Sequence, residues 1–188
     1  MMQIDQAGLI EIASYEAIVL RPYREMLSTG NWDVWTWGVG HTKAAGDPDP
    51  ALLPMDADQP MARVFQVLSA DMASVQARVN QAVHVPISQT ENNALCSFDF
   101  NTGGIFVAHL TALLNQGNHA AAADAFMGWS EPPDVIGRRK NEQALFRSGT
   151  YSSDGRALLV PVDALNRPLY REGKLVDVAG LLTGDSNG

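Results

Sequence analysis

The chain has 188 residues, a formal net charge of −8 and a single cysteine. The negative charge argues against non-specific binding to nucleic acid, and one cysteine excludes an intramolecular disulfide. No apolar run reaches the length of about eighteen residues that a membrane span needs. The N-terminus carries acidic rather than basic side chains, so we expect neither a signal peptide nor a membrane anchor.

The first predicted elements are a helix and a small β region. Apolar residues spaced three and four apart predict a helix over residues 4–20. Glycines then alternate with tryptophan and valine, which predicts a hairpin-like β region over about residues 22–42. Four prolines within residues 43–60 indicate an irregular connection between this region and the next helix.

A series of helices is predicted in the middle of the chain. Apolar spacings of three and four predict a long helix over residues 61–80. Ser88 and Glu91 have the spacing of a capping box, which opens a helix through Phe98. Shorter helices are predicted over residues 110–115, 119–127 and 135–147.

The pattern changes once more after Tyr151, where short apolar runs and turns predict two or three strands. Because strands do not alternate with helices along the chain, the predicted class is α+β, with a mainly helical body. We expect a domain over residues 1–150 that contains the small β region. We expect a β-rich C-terminal extension, residues 151–188, to pack on that domain.

Two glutamates and a threonine form the candidate catalytic group: Glu16, Glu25 and Thr36. Glycoside hydrolysis needs one carboxyl group to protonate the leaving oxygen and a second to act on water or on carbon. A carboxyl at a helix end and another on the following β turn can face each other across a groove. By spacing alone this is weak, because the chain has 21 acidic residues and Glu16 could equally be a solvated helix residue.

The segment from Tyr15 to Thr42 resembles the active-site signature of the phage lysozyme family, glycoside hydrolase family twenty-four. Glu16 stands where the family has Glu-Gly, and Tyr23-Arg24-Glu25 stands at the family's Tyr-x-Asp. The run from Thr36 to His41 matches Thr-x-Gly-x-Gly-His. Two further blocks, residues 89–103 and 123–146, resemble the family's core helix and its Trp and Arg-Arg region. The resemblance covers about residues 5–150.

The resemblance implies a lysozyme-like fold and an endolysin, a muramidase that hydrolyses peptidoglycan. The bond cleaved is the β-1,4 bond between N-acetylmuramic acid and N-acetylglucosamine. By position, Glu16 is the general acid, Glu25 is the ionised partner, and Thr36 is the third member of an inverting site. No cofactor and no metal is implied. His84, His109 and His119 lack metal-ligand spacing, which also disfavours a zinc enzyme.

Two departures from the family pattern affect the second carboxylate. Glu25 stands where the family usually has Asp, and it is one methylene longer. The loop from Glu25 to Thr36 is also longer than the usual form, and it introduces Asp33 as a rival carboxylate. We favour Glu25, because it keeps both the preceding Tyr23 and the nine-residue spacing from Glu16 that the pattern has.

Four further residues are candidates for substrate binding: Asp33, Trp35, His41 and Asn101. Trp35 could stack on a sugar ring or belong to the core, and the sequence leaves both interpretations open. For His41 a structural role near the β turn is favoured over a catalytic one. Asn101 is expected to contact the acetamido groups of the sugars.

Two other functions stay open. A lytic transglycosylase would also use a single acid, and a non-catalytic module would bind the wall without cleaving it. For the leading hypothesis, the partner is the glycan strand of peptidoglycan, with no nucleic acid and no membrane insertion. We expect a monomer that stays in the host bacterial cytoplasm until a holin-type pore releases it to peptidoglycan in the periplasm.

Overall fold

The structure is a computed structural model that describes residues 1–27 and 29–180. Residues 181–188 of the predicted extension lie outside the described residues. Within the described part, the helices are α1 (Gln6–Tyr15), α2 (Met61–Ala82), α3 (Gln89–Thr102), α4 (His109–Asn115), α5 (His119–Ala125) and α6 (Ile136–Ser148). The strands are β1 (Ala17–Tyr23), β2 (Thr36–Gly38), β3 (His41–Thr42), β4 (Arg156–Leu159) and β5 (Lys174–Asp177).

The five strands form one mixed sheet in the order β3-β2-β1-β4-β5. Strand β1 runs antiparallel to β2, with Val19 opposite Gly38 and Tyr23 opposite Thr36. On its other edge β1 runs parallel to β4, with Ile18 opposite Leu159. The sheet therefore joins the predicted β region near the N-terminus to the predicted strands after Tyr151.

The prediction of a helix through residue 20 is wrong. Helix α1 ends at Tyr15, and strand β1 begins at Ala17. Ile18 and Val19 are β-branched and fully buried, and both pair with neighbouring strands. Because β-branched side chains pack well in a sheet and lose rotamer freedom in a helix, the sheet is the better place for them. Glu16 consequently lies at the bend between the two elements.

Several local predictions are confirmed. The long helix predicted from residue 61 is α2, which ends two residues beyond the predicted end. Both hydrogen bonds of the capping box between Ser88 and Glu91 are present at the start of α3. Gly103 ends that helix with a φ of 63°, a left-handed conformation that glycine adopts without a steric penalty. The helix predicted from residue 119 is α5, which begins at His119 after a side-chain cap by Asn118.

The chain folds into two compact units. The first, which we call the helical unit, consists of Met1–Glu11 and Met72–Asp154. Its aromatic core includes Phe98, whose ring meets that of Phe126 edge to face at 5.6 Å. A buried ionic group lies in the same unit, where Glu142 pairs with Arg138 at 3.0 Å.

The second unit, which we call the sheet unit, consists of Ile12–Asp71 and the chain from Gly155 on. Trp37 is its largest fully buried side chain, and its indole N–H donates to the carbonyl oxygen of Leu20 at 3.0 Å. Other buried apolar residues of the sheet unit are Ile12, Ile18, Val19, Val39, Val64, Phe65, Leu68, Ala157, Val160 and Val178.

The predicted domain boundary at residue 150 stays a prediction. The two compact units are each built from segments that are distant in the sequence. The predicted boundary lies instead at the residue where the resemblance to the phage lysozyme family ends. Among the described residues, none of the helices combines the length and the apolar character needed to cross a lipid bilayer.

Candidate active site

Glu16 occupies the single position between α1 and β1, and its side chain is half-buried. The chain is held directly after it, because Ala17 pairs with Leu158 of the neighbouring strand. The carbonyl oxygen of Ile18 also accepts a hydrogen bond from the backbone N–H of Val160 at 2.9 Å. The backbone that carries the predicted general acid is therefore fixed by regular strand pairing.

Glu25 lies two residues after the end of β1, and its side chain is exposed. The backbone N–H of Arg24 donates to the carbonyl oxygen of Asn166 at 3.1 Å, which ties this part of the chain to the C-terminal segment. The carboxylate of Glu25 accepts a hydrogen bond from the hydroxyl of Tyr170. Both the backbone and the side chain around Glu25 are thus anchored by residues that follow Tyr151.

The longer loop after Glu25 is a small hairpin. Met26 and Trp32 form an antiparallel bridge, and Leu27 N–H donates to the carbonyl oxygen of Asn31 at 2.8 Å. The N–H of Asp33 donates to the carbonyl oxygen of Glu25 at 2.9 Å. The described residues on the two sides of this loop therefore pair with each other, and this pairing brings the rival carboxylate Asp33 next to Glu25.

Thr36 begins strand β2 and lies directly opposite Tyr23 in the antiparallel pair with β1. Its hydroxyl donates to the carbonyl oxygen of Val34 at 3.3 Å, and its side chain is half-exposed. On the other side Thr36 pairs with Thr42 of β3. This register places Thr36 at the end of β1 that precedes Glu25.

Three carboxylates contribute to the electrostatic environment of Tyr23. Burial raises the pKa of Tyr23 to about 12, and the negative charges of Glu25, Glu16 and Asp33 add to that rise. Because screening by salt limits such effects to about 10 Å, the three carboxylates belong to the surroundings of the same phenol. The sheet unit thus brings Glu16, Glu25, Asp33 and Thr36 together around Tyr23.

His41 is buried, with both ring nitrogens held by the protein. Its Nδ1 lies 2.8 Å from Oδ2 of Asp71, and its Nε2 lies 2.9 Å from the carbonyl oxygen of Pro48. A carbonyl oxygen only accepts, so Nε2 carries a proton. The edge of the Trp37 ring packs against the imidazole. This arrangement is typical of a structural support, and substrate binding by His41 stays a prediction.

The tryptophans of this region differ in their surroundings. Trp37 is fully buried, whereas Trp35 is half-exposed and Trp32 is exposed. The guanidinium carbon of Arg24 lies 4.3 Å from the ring centroid of Trp35 and 5.3 Å from that of Trp32. Strand β2 begins only after Trp35, which is why Trp35 does not share the buried face of Trp37.

A cavity of about 390 Å³ adjoins this stack. It is lined by both charged and aromatic side chains, among them Arg24, Asp33, Trp35, Lys43 and Asp49. An aromatic face beside charged groups suits a sugar ring with polar substituents. Trp35 and Asp33 therefore remain candidates for substrate contact.

Asn101 belongs to the helical unit rather than to the sheet unit. Its side-chain oxygen accepts a hydrogen bond from Arg139 at 2.8 Å. Asn101 thus has a protein partner within its own unit, and its contact with substrate stays a prediction. Within residues 1–27 and 29–180, no group of three or more His, Cys, Asp or Glu side chains has the arrangement of a metal site.

Sequence reasoning missed two residues that contact the predicted site. Asp71 lies on the long helix α2, thirty positions after His41, and nothing in the helical pattern marks it as a partner of the histidine. Tyr170 lies 145 positions after Glu25, in a single turn of 3-10 helix over Tyr170–Glu172. No local signal predicts either contact, because both depend on how distant segments meet.

Comparisons with known proteins identify the family and the fold. The family described as phage lysozyme matches residues 13–143. The endolysin of Salmonella phage P22 is 35% identical over 155 residues, which cover 79% of this chain and 100% of that protein. The endolysin of Acyrthosiphon pisum secondary endosymbiont phage 1 is 34% identical over 158 residues, covering 78% and 99%. A solved structure of a P22 lysozyme mutant has a TM-score of 0.67 at 30% identity, covering 79% of this chain and 100% of that one.

Proposed function

This chain belongs to the phage lysozyme family, and from that premise we propose that Glu16, Glu25 and Thr36 form its catalytic site. The protein is an endolysin, a glycosidase that hydrolyses peptidoglycan, and it has the α+β fold of the phage lysozymes. The assignment of the site rests mainly on the surroundings of Tyr23. The charges of both glutamates reach this phenol, and Thr36 lies opposite it in the sheet.

The proposed reaction is hydrolysis of the β-1,4 bond between N-acetylmuramic acid and N-acetylglucosamine. The carboxyl of Glu16 gives its proton to the glycosidic oxygen as the bond from that oxygen to the muramic carbon breaks. The carboxylate of Glu25 takes a proton from the water whose oxygen attacks the same carbon, and Thr36 holds that water. Exchange of one proton with solvent then restores both groups. Because water enters on the face opposite the leaving group, the product is inverted.

Glu25 is proposed over Asp33 as the second carboxylate. The two residues are adjacent in space, since the N–H of Asp33 binds the carbonyl oxygen of Glu25. They differ in what holds the side chain. An oxygen of Asp33 accepts from the neighbouring N–H of Val34 at 2.7 Å, whereas Glu25 is held by the hydroxyl of Tyr170. A carboxylate oriented by a distant side chain is better suited to a fixed catalytic geometry.

The two alternative functions are less well supported. The relatives are endolysins, and the family is that of a lysozyme, which favours hydrolysis over a lytic transglycosylase or a non-catalytic module. A transglycosylase would not need Glu25 and Thr36, because the muramic acid would close on itself instead of admitting water. The clustering of these residues around Tyr23 supports a site that uses water.

The proposal is tested by lysis of outer-membrane-stripped Gram-negative cells with wild type and Glu16→Gln. Wild type is expected to clear the suspension, and the variant is expected to lose about 100-fold or more of the rate. Mass spectrometry of the released sugars should find reducing muramic acid ends. Anhydro ends would indicate a transglycosylase, and sedimentation with the wall without clearing would indicate a binding module.

We also propose the cellular setting of the reaction. The chain acts as a monomer on the glycan strands of the wall, without nucleic acid and without insertion into a membrane. It accumulates in the host cytoplasm and reaches peptidoglycan in the periplasm through a holin-type pore. Separation of infected cells into cytoplasmic and periplasmic fractions, before and after lysis begins, would test this order of events.

A further inference from the structure

Tyr170 lies in a part of the chain beyond the region that the phage lysozyme family matches, which ends at residue 143. Its hydroxyl nevertheless donates to Oε1 of Glu25, the proposed water-activating carboxylate. Tyr170 is not among the site residues that the sequence predicts. Its position raises the question of whether the C-terminal segment only completes the sheet or also serves the reaction.

A continuous series of backbone contacts brings Tyr170 to Glu25. Strand β4 pairs in parallel with the start of β1, directly after Glu16. The following chain turns back, with a bridge between Val162 and Pro168 and a hydrogen bond from Leu169 N–H to the carbonyl oxygen of Pro161 at 2.9 Å. Within that turn, the carbonyl oxygen of Asn166 accepts from the N–H of Arg24, the residue before Glu25.

The turn that presents Tyr170 is itself well ordered by hydrogen bonds. Asp163 accepts from the N–H of Leu165 at 2.8 Å and from that of Arg167 at 2.9 Å. Its carboxylate also pairs with the guanidinium of Arg167 at 2.6 Å. The N–H of Gly173 donates to the carbonyl oxygen of Tyr170 at 3.2 Å. The phenol is therefore supported by a compact turn rather than by a long free segment.

Charge fixes the direction of the hydrogen bond. Burial raises the pKa of Tyr170 above its ordinary value, and the hydrogen bond to Glu25 adds to the rise. The phenol therefore keeps its proton throughout the neutral range and can serve as a donor to the carboxylate. A donor at this position restricts the carboxylate of Glu25 to one orientation.

We propose that Tyr170 is a positioning residue that holds the carboxylate of Glu25 oriented toward the attacking water. This inference rests on the proposed role of Glu25. It also gives a reason why this chain has Glu25 where the family usually has aspartate. Glutamate has one more rotatable bond than the usual aspartate, so its carboxylate is less constrained, and the phenol removes that freedom. The C-terminal segment is then part of the catalytic machinery.

The test is the activity of Tyr170→Phe, which removes only the hydroxyl. Initial rates of hydrolysis are measured over a range of purified peptidoglycan concentrations, which gives kcat and KM separately. We expect kcat to fall about tenfold, because the charge-assisted hydrogen bond that orients the carboxylate is lost. We expect KM for the wall to stay within about twofold of the wild-type value, since the phenol acts on the attacking water and not on the binding of the glycan.

Tyr151→Phe is the matched control. Its hydroxyl accepts from the side chain of Asn93 at 2.7 Å within the helical unit, whereas Glu25 belongs to the sheet unit. This variant should keep the wild-type kcat and KM. A purely structural role of Tyr170 would lower the melting temperature of Tyr170→Phe without lowering kcat of the folded protein, and that result would overturn the proposal.

A second comparison, made in the Glu25→Asp variant, separates an effect on Glu25 from an effect on folding. In Glu25→Asp the carboxylate is one methylene shorter and is withdrawn from the phenol, so adding Tyr170→Phe should cost less than about twofold. An undiminished tenfold cost in that background would overturn the proposal. Glu25→Gln separates the two levels of inference. Wild-type activity of Glu25→Gln would refute the catalytic role of Glu25 itself. An inactive Glu25→Gln together with a wild-type kcat for Tyr170→Phe would refute only the role of Tyr170.

Discussion

Oδ2 of Asp71 lies 2.8 Å from Nδ1 of His41, inside the sheet unit. The imidazole is only 2% exposed, and its other nitrogen donates to the carbonyl oxygen of Pro48. The histidine that ends the Thr-x-Gly-x-Gly-His pattern therefore joins strand β3, the proline-containing loop and helix α2. These contacts support the structural role that the sequence favours for His41.

We expect His41→Ala to lower the free energy of unfolding by about 3 kcal/mol. The substitution opens a cavity and removes the ring that binds both Asp71 and the Pro48 carbonyl oxygen. Urea unfolding followed by circular dichroism would measure the change. His109→Ala is the control, because His109 is exposed and should cost less than about 0.5 kcal/mol. Equal losses for the two variants would contradict a structural role of His41.

The pH dependence of stability should depend on Asp71. Burial raises the pKa of this carboxyl, and the hydrogen bond to His41 offsets part of the rise. A raised pKa means that the folded protein binds the proton more tightly than the unfolded chain. The stability gained from this proton is fully present below about pH 4, and it is lost as the pH rises through the raised pKa.

Asp71→Asn removes this titration and keeps a polar partner for the ring. The stability of wild type relative to the variant should therefore fall as the pH increases from about 4. Unfolding free energies of both proteins at half-unit steps up to pH 7 would measure this. Asp56→Asn, at an exposed position, provides the comparison for a change of charge alone. A constant difference between wild type and Asp71→Asn would argue against the prediction.

Cys96 is expected to be chemically inert in the folded protein. The thiol is fully buried in helix α3, and it donates to the side-chain oxygen of Gln76 at 3.3 Å. Burial raises the pKa of Cys96 to about 12, so almost none of the reactive thiolate is present at pH 8. A thiol reagent should leave the native protein unlabelled and modify one site after denaturation. Rapid labelling under native conditions would show that the helix opens.

Helices are predicted well from the sequence because their signals are local. The spacing of apolar residues determines α2, and the capping pair Ser88 and Glu91 marks the start of α3. Strand β1 is not predicted, because its residues continue the apolar pattern of α1. What makes them a strand is pairing with β2 and with β4, and β4 lies about 140 residues further along the chain.

The same distinction separates the candidate site into two parts. Glu16, Glu25 and Thr36 follow a pattern within about twenty residues, so a resemblance can identify them. Tyr170 and Asp71 contact that region only through long-range folding, and no motif marks either residue. The geometry of the longer loop is also unpredictable in detail, because the hairpin bridge between Met26 and Trp32 depends on turn conformation.

The choice between the two neighbouring carboxylates can be tested directly. Glu25→Gln should lower the lysis rate by a factor of about 100 or more, since it removes the group proposed to take the proton from water. Asp33→Asn should stay within about threefold of wild type, because that side chain is bound to the adjacent backbone N–H. Rates should be compared at saturating wall concentration. Loss of turnover with Asp33→Asn alone would assign the second carboxylate to Asp33.

Beyond the region that the family matches, Ser152 is expected to stabilise the start of the chain. The carboxylate of Glu11 on helix α1 is 1% exposed. It accepts from the hydroxyl of Ser152 at 2.6 Å and from the N–H of Ser153 at 2.9 Å. Ser152→Ala removes one of these donors, and hydrogen bonds to buried charged groups contribute about 1.5–3 kcal/mol. We expect a loss of about 2 kcal/mol in the free energy of unfolding.

Ser148→Ala is the matched control, because its hydroxyl donates to the carbonyl oxygen of Ala144 at an exposed position. That loss should stay below about 0.5 kcal/mol. Replacing Glu11 with Met in the Ser152→Ala background should recover stability, since an apolar side chain of similar volume no longer requires the donor. If Glu11→Met instead destabilises both backgrounds equally, the serine and the glutamate are not energetically coupled, and residues 151–154 contribute to stability through other contacts.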